Sequence, residues 1–330
     1  MSGILKVVYQ YMMNNRINAL DTIRVVAILM ILLCHYFLFS DLNSGIGRYL
    51  AGAGNMIFFL VSAFLYGTKY CGELQEIDYK QFIVGRIKKL GPPVWLFLII
   101  LIILYLLFGI RFSWFDAVLN FLFLGYLGEL PGNGHLWFLT VLMACYAEFL
   151  LLLKLKVKGS AVPWAILAVS VVLVLVGEWM GIPSGAFFTI GLYGFVFLKS
   201  GWFLQKSKSM KWWMAVVILL FNAACFFVEY KGLFEMSRSL HFLLSGFCGF
   251  SLFSLMLRVL PDKSNKVVAY LGGISFEVYI VHHTLCAGPF INVTLWPFGH
   301  FVNFVILVVL SVVLAAVLKT VVGFFGLRKQ

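Results

Sequence analysis

The chain has 330 residues, of which 62% are apolar and 12% are charged, and its mean hydropathy is +1.00. Soluble domains are typically about 45–50% apolar and about 25% charged, so this composition excludes a soluble globular protein and a disordered chain. The formal net charge of +12 does not indicate nucleic-acid binding, because the Lys and Arg residues lie mainly in short segments between apolar runs. The composition therefore predicts an integral membrane protein.

Ten apolar stretches of about 17–25 residues, the length that crosses a bilayer, follow one another along the chain. They lie near residues 23–40, 49–67, 92–110, 136–153, 162–178, 186–203, 212–229, 240–258, 268–287 and 301–325. We therefore expect an all-α, polytopic membrane protein with about ten transmembrane helices, organised as a single transmembrane domain over residues 1–330.

The basic residues predict the orientation of these spans. They cluster in alternate connecting segments, at 80–89, 154–158 and 206–211, whereas the predicted outer loops carry only Arg48, Arg111, Lys231 and Arg238. By the positive-inside rule, both the N-terminus and the C-terminus are expected to be cytoplasmic. The first residues lack the apolar region and cleavage site of a signal peptide, so the first apolar run is expected to remain as an anchor.

Residues 112–130 are apolar but too short, and too rich in glycine at their end, to cross the bilayer cleanly. We expect them to form a re-entrant or interfacial segment on the outer side. Such a segment requires protein or a water-filled cavity around its backbone.

The six cysteines show no CxxC spacing, and five of them lie within apolar stretches. This pattern is not typical of a disulfide framework or of a zinc site, and we expect no metal.

The first span carries two ionisable residues on one face. Arg24 and His35 are eleven residues apart, and at 100° per residue that separation is three turns plus about 20°. The helical rise places them about 16 Å apart along the axis, with Arg24 near the cytoplasmic surface and His35 deep in the membrane. Ionisable residues within spans are candidates for a functional site, although Arg24 could instead extend to the membrane surface and His35 could be a core histidine.

Five segments together resemble membrane acyltransferase family 3, over about residues 20 to 290. The first is Leu20-Asp21 followed by Arg24 and, after ten residues, His35. The others are 57–65 (IFFLVSAFL), 86–93 (RIKKLGPP), 135–139 (HLWFL) and 274–282 (ISFEVYIVH). The chain departs from the family pattern at Ala63, where glycine is usual, and at Lys89, where arginine is more usual.

The resemblance implies a membrane enzyme of the plasma membrane, the inner membrane in bacteria, that moves an acyl group, most often acetyl, from acetyl-CoA or another acyl-CoA. The acceptor is a hydroxyl group of a cell-surface carbohydrate or a lipid-linked sugar. Imidazole, with its ordinary pKa of about 6.5, suits a base that deprotonates this hydroxyl, so His35 is the catalytic candidate. Guanidinium and ammonium groups suit the CoA phosphates, so Arg24, Arg86 and Lys89 are the candidates for donor binding.

Other polar residues are candidates for supporting the site. Ser275, Tyr279 and His282 form one helical stripe, which either contacts substrate or forms a hydrogen-bonded seam between helices. His283 lies about 100° from this stripe and is expected to be a neighbour. Further supporting candidates are Asp21, Ser62, His135 and Trp137.

Two of these residues have alternative interpretations. Trp137 could stack on a sugar or anchor the helix at the membrane interface. Ser62 could carry an acyl group, or its hydroxyl could bond to a carbonyl one turn earlier in the helix.

Three other functions remain open at this point. A transporter or flippase of lipid-linked sugars would also need about ten helices, but the chain lacks detectable inverted repeats. Another acyltransferase lineage with a buried histidine would not need Arg24 in register with His35. In a non-catalytic membrane subunit, the position of Arg24 and His35 on one helix face would have no role. The bilayer, an acyl-CoA and a carbohydrate are the expected partners, and the sequence leaves the oligomeric state open.

Overall fold

The structure is a computed structural model that describes residues 17–42, 44–70, 78–156, 159–233, 237–263 and 265–326. The two predicted cytoplasmic termini, Lys158 of the basic cluster, and Cys71 lie outside these residues. Within the described part of the chain the regular structure is entirely helical. The longer helices are α1 (Ala19–Phe39), α2 (Ser44–Tyr70), α3 (Tyr79–Leu107), α5 (Trp137–Lys154), α6 (Val162–Trp179), α7 (Gly185–Lys208), α8 (Trp212–Lys231), α9 (Arg238–Val259), α10 (Lys266–Ala287) and α11 (His300–Phe324).

Each predicted span coincides with one of these helices, which confirms the polytopic all-α prediction. Among the described residues, nine helices are long and apolar enough to cross a membrane. The other long helix, α10, is the one that carries Glu277, His282 and His283. A span with several ionisable groups is expected to face protein rather than lipid.

The helix that contains the third predicted span begins well before that span. It starts at Tyr79, and the adjacent Pro92 and Pro93 lie inside it. Asp78 caps the helix, because its side chain accepts a hydrogen bond from the backbone N–H of Gln81. Proline is tolerated within membrane helices when neighbouring groups satisfy the freed backbone carbonyls. The basic run 86–89 therefore lies within α3 rather than before it.

Residues 112–130 form a short helix and turns. The helix α4 (Trp114–Phe121) has only eight residues, and Ser113 caps its N-terminus. Trp114 and Phe115 are exposed, whereas Asn120 is buried and bonds to backbone carbonyls on both sides of the turn. The segment is thus short, with exposed aromatic residues on one side and a buried polar residue on the other, as expected of an interfacial element.

The described residues divide into two compact units. The first contains residues of Met1–Cys34, Asn43–Gln75 and Ala144–Gly272, and the second contains residues of His35–Leu42, Glu76–Met143 and Gly273–Gln330. Helices α1, α5 and α10 each contribute residues to both units.

In the first unit, α2 packs against α7 and α9, and α6 packs against α7. Small residues allow the backbones to approach closely, as is usual for membrane helices. A Cβ atom at Gly67 would overlap the carbonyl oxygen of Phe197, and one at Gly52 would overlap the side chain of Ser245.

In the second unit, α3 packs against α4 and α11, and a 3₁₀ turn at Val293–Leu295 packs against α11. A second 3₁₀ turn, Gly134–Leu136, leads directly into α5. The loop before this turn is fixed by buried hydrogen bonds. Tyr105 on α3 donates to the carbonyl of Pro131, and Asn133 Nδ2 donates to the Tyr105 hydroxyl at 3.1 Å. This unit contains the candidate site.

Candidate active site

Four histidine rings meet in the second unit. His35 comes from α1, His135 from the 3₁₀ turn before α5, and His282 and His283 from α10. The ring centroid of His35 lies 4.9 Å from that of His282 and 4.6 Å from that of His283. The His135 centroid lies 5.3 Å from His282 and 4.6 Å from His283. We call these four residues the histidine cluster.

The members of the histidine cluster differ in burial. His135, His282 and His283 are 3%, 0% and 6% exposed, whereas His35 is only partly buried. A catalytic base must reach the proton that it removes. His35 is therefore the most accessible member of the cluster.

The hydrogen bonds of His282 define which nitrogen of His35 can accept a proton. His282 Nδ1 lies 2.7 Å from the Tyr279 carbonyl and 3.2 Å from the Val278 carbonyl, so this nitrogen donates. In the neutral ring, the lone pair of His282 is then on Nε2. This Nε2 lies 3.0 Å from His35 Nδ1, which must therefore carry the proton. The lone pair of His35 is thus on Nε2, the nitrogen farther from the backbone.

Backbone carbonyls also orient the other two rings. His135 Nε2 donates to the carbonyl of Ile280 at 3.1 Å, and His283 Nδ1 donates to the carbonyl of Gly132 at 2.7 Å. The buried Nδ1 of His135 has no hydrogen-bond partner among the described residues. The carbonyls fix the tautomer of each ring in its neutral form.

The predicted stripe on α10 is buried. Ser275 and Tyr279 are each 3% exposed and His282 is fully buried. The Tyr279 hydroxyl donates a 2.5 Å hydrogen bond to the carbonyl of His135, which links α10 to the turn before α5. Tyr279 and His282 therefore link α10 by hydrogen bonds to the turn before α5 and to His35 of α1.

His283 belongs to the cluster, although its position in the helix suggested only a neighbour. Its ring stacks on His135 with an interplanar angle of 12° and meets His35 edge-on. The pattern of a single helix face could not show this, because the adjacent residues His282 and His283 both contact the His35 ring. The feature of the sequence that could have indicated the place of His283 is the pair of consecutive histidines in a predicted membrane helix.

Asp21 and Arg24 lie in the first unit, at the beginning of α1. Arg24 Nη1 and Asp21 Oδ1 form an ion pair at 3.0 Å. Asp21 is buried, whereas the Arg24 side chain is 27% exposed. The carboxylate thus orients the guanidinium and leaves part of it accessible.

Arg86 and Lys89 lie in the second unit on α3. Arg86 is partly buried, and its guanidinium lies 5.4 Å from the centroid of the Phe82 ring. Lys88 and Lys89 are exposed. The three cations lie within one turn of helix, an arrangement that can contact an anionic group.

Ser62 and Trp137 are the remaining candidates. Ser62 lies in the first unit, and its Oγ is 3.4 Å from the hydroxyl of Tyr193 rather than bonded to a carbonyl one turn earlier. Trp137 is partly buried at the start of α5, with its ring 6.4 Å from that of Phe138. This position is consistent with either interpretation of Trp137.

Five cysteines of the described residues are buried and are not in disulfide bonds: Cys34, Cys145, Cys225, Cys248 and Cys286. No group of three or more His, Cys, Asp or Glu residues in the described part of the chain could hold a metal ion.

Comparison with known families agrees with the motifs. The model of acyltransferase family 3, described as an acyltransferase domain, matches residues 17–320. No curated protein and no solved structure matches the chain significantly. The family match includes all of the predicted site residues and nearly the whole chain. The chain therefore belongs to acyltransferase family 3 and is a multi-pass membrane acyltransferase.

Proposed function

We propose that this enzyme is an O-acyltransferase that moves an acyl group, acetyl in the first instance, from acyl-CoA to a hydroxyl group of a cell-surface carbohydrate or its lipid-linked precursor. The observation that carries the proposal is the contact between His282 Nε2 and His35 Nδ1 at 3.0 Å. It supports an unprotonated Nε2 on His35, the partly exposed member of the cluster. This is the arrangement that a general base needs.

In the proposed step, His35 Nε2 removes the proton from the acceptor hydroxyl while the oxygen attacks the thioester carbonyl carbon. The carbon–sulfur bond then breaks, and CoA leaves as a thiolate. The imidazolium of His35 returns the proton to the sulfur, so the products are the ester and free CoA and the enzyme is unchanged. His282 acts as a positioning residue, because it holds the His35 ring and accepts its Nδ1 proton in a hydrogen bond.

For the donor phosphates we retain the cations predicted from the sequence, which are Arg86 and Lys89 on α3 and Arg24 on α1. Guanidinium groups bind phosphate in a bidentate manner, and lysine acts as a point charge. The positive-inside orientation supports a cytoplasmic donor, because these residues belong to the predicted inner segments. We assign the enzyme to the plasma membrane, the inner membrane in bacteria.

The test uses the purified full chain in lipid nanodiscs with acyl-labelled acetyl-CoA and a hydroxylated sugar. We expect wild type to consume the donor and to form a labelled ester, and His35→Ala to lower the rate by about 10²–10⁴-fold. His241→Gln is the control, because His241 lies in the first unit and pairs with Glu229 at 2.8 Å. It should retain the rate of wild type.

A parallel reaction with succinyl-CoA tests the choice of acyl group. A higher kcat/KM with acetyl-CoA is expected. If neither donor is bound or consumed, the proposed donor is wrong.

A further inference from the structure

The first unit contains a cavity of about 370 Å³ between α5, α6 and α7. Glu148 of α5, five apolar residues and Ser170 of α6, and three residues of α7 line it. The volume lies within the range of small-molecule sites. None of the residues in the proposed acyl-transfer step lines this cavity.

The cavity follows one face of α6. Its lining residues on that helix extend from Val162 to Leu173 at helical spacing, which corresponds to about 16 Å along the axis. Ser170 and Gly191 close one part of it, because a Cβ atom at Gly191 would overlap the Cβ atom of Ser170. The result is a long, narrow space parallel to the helices.

The cavity opens toward lipid. Only 22% of the residues of α6 are buried. Val169 and Leu173, which line the cavity, have exposed fractions of 56% and 43%. Trp164 and Val172 on the same helix are also exposed. Since the surroundings of a transmembrane helix at this depth are hydrocarbon, the molecule with direct access to the cavity is a membrane lipid.

Glu148 is the only ionisable residue among the described residues that line the cavity. Its Oε1 occupies the space that a Cβ atom at Gly194 would fill. Its Oε2 is buried and has no hydrogen-bond partner among the described residues. An ionisable side chain within a span is costly and is by default a candidate for function. A ligand that bonds to this oxygen would offset part of that cost.

Cations lie at one end of the cavity. Lys154 is six residues from Glu148 along α5, about 9 Å by helical rise, and Lys156 follows it in the connection to Val162 at the start of α6. Both lysines are exposed. Basic residues beside a membrane helix attract anionic lipid headgroups.

We propose that this cavity binds an anionic glycerophospholipid. One hydrocarbon chain lies along α6, an ester carbonyl accepts a hydrogen bond from the Glu148 carboxylic acid, and the phosphate lies beside Lys154 and Lys156. The order of these groups along the lipid, phosphate then ester then chain, matches the order of lysines, carboxyl group and apolar face along the cavity.

The test measures lipid binding to the delipidated full chain in detergent, by thermal unfolding and by native mass spectrometry. Dioleoylphosphatidylglycerol should raise Tm and remain bound, and dioleoylphosphatidylcholine should do so less. Ala165→Trp fills the cavity from α6 and should abolish the Tm rise. Ala168→Trp, on α6 but outside the cavity, is its matched control and should keep the rise.

Two further comparisons separate the polar contacts. The double variant Lys154→Ala/Lys156→Ala should lose the preference for phosphatidylglycerol, whereas Lys208→Ala/Lys211→Ala should keep it. Glu148→Leu should weaken retention of both lipids, and Glu148→Gln, which keeps a donor, should weaken it less. The proposal is overturned if Ala165→Trp binds phosphatidylglycerol as wild type does, or if both lipids bind equally to wild type.

Discussion

The carbonyl oxygen of Gly132 accepts a 2.7 Å hydrogen bond from Nδ1 of His283, so the loop before α5 positions a ring of the histidine cluster. Gly132 has a φ of +67°, and a Cβ atom there would lie 2.5 Å from the carbonyl oxygen of Ala287. Only glycine fits this position without strain, since other residues rarely adopt a positive φ and the space is filled.

Gly132→Ala should therefore lower both stability and acyl transfer. The left-handed conformation costs about 1–2 kcal/mol for a residue with a Cβ atom, and the overlap with α10 adds about 1–3 kcal/mol. The shift of the carbonyl should also lower the turnover rate more than the loss of folded protein explains. Thermal unfolding and the rate per folded molecule are the two measurements.

Gly109→Ala is the matched control for this prediction. Gly109 has a φ of +68°, but nothing lies within 4 Å of the position that a Cβ atom would take there. It should incur the cost of the left-handed conformation while the rate per folded molecule stays unchanged. Equal effects of the two substitutions on that rate would contradict a positioning role for Gly132.

His282 should act through His35 by accepting its Nδ1 proton. His282→Leu removes the acceptor, and we expect kcat to fall by about 10- to 100-fold, because the ring of His35 is then no longer held in position. His282→Gln retains an acceptor oxygen and should recover part of the loss. KM for acyl-CoA should change little in either variant. An equal loss of kcat in both would indicate that His282 only fills space.

Tyr105→Phe should destabilise the second unit. Tyr105 is fully buried, and its hydroxyl bonds to both Pro131 and Asn133. Loss of a buried hydrogen-bonding group costs about 1–3 kcal/mol, so Tm should fall. The control is Tyr79→Phe on the same helix, where the side chain is 38% exposed. Its effect should stay within about 0.5 kcal/mol. A similar fall in Tm for both variants would argue against the structural role of the loop bonds.

Lys89→Arg should lower KM for acyl-CoA, because a guanidinium can bind phosphate through two parallel hydrogen bonds. Arg86→Ala should raise KM by about 10- to 100-fold, since hydrogen bonds to charged groups contribute about 1.5–3 kcal/mol. Steady-state kinetics with varied acyl-CoA measure both. Lys88→Ala, on the same helix turn, is the control. It should raise KM less, because it only removes one positive charge from the region. If all three substitutions leave KM unchanged, the phosphates bind elsewhere.

Much of the fold could be predicted from the sequence. Apolar runs of membrane-spanning length located the helices, and the short segment 112–130 was distinguishable by its length. The start of α3 could not be located in this way, because Pro92 and Pro93 would end most helices in water but lie within this one. A capping side chain such as Asp78 is a weaker indication of where a helix begins than two adjacent prolines are of where a helix is interrupted.

The site was predictable only in part, for a physical reason. His35 and His282 stood out because ionisable residues within spans are rare. The role of Gly132 depends on contacts with Ala287 and His283, more than 150 residues later in the chain, which no local pattern encodes. The place of His283 in the cluster likewise depends on how α1 passes α10.

The most direct test of the central claim is a single-turnover measurement of acyl transfer by His35→Ala, with acyl-CoA binding measured on the same sample. We expect the variant to bind acyl-CoA with nearly the affinity of wild type and to transfer the acyl group about 10²–10⁴-fold more slowly. Transfer at the rate of wild type by a folded His35→Ala protein would contradict the assignment of His35 as the base.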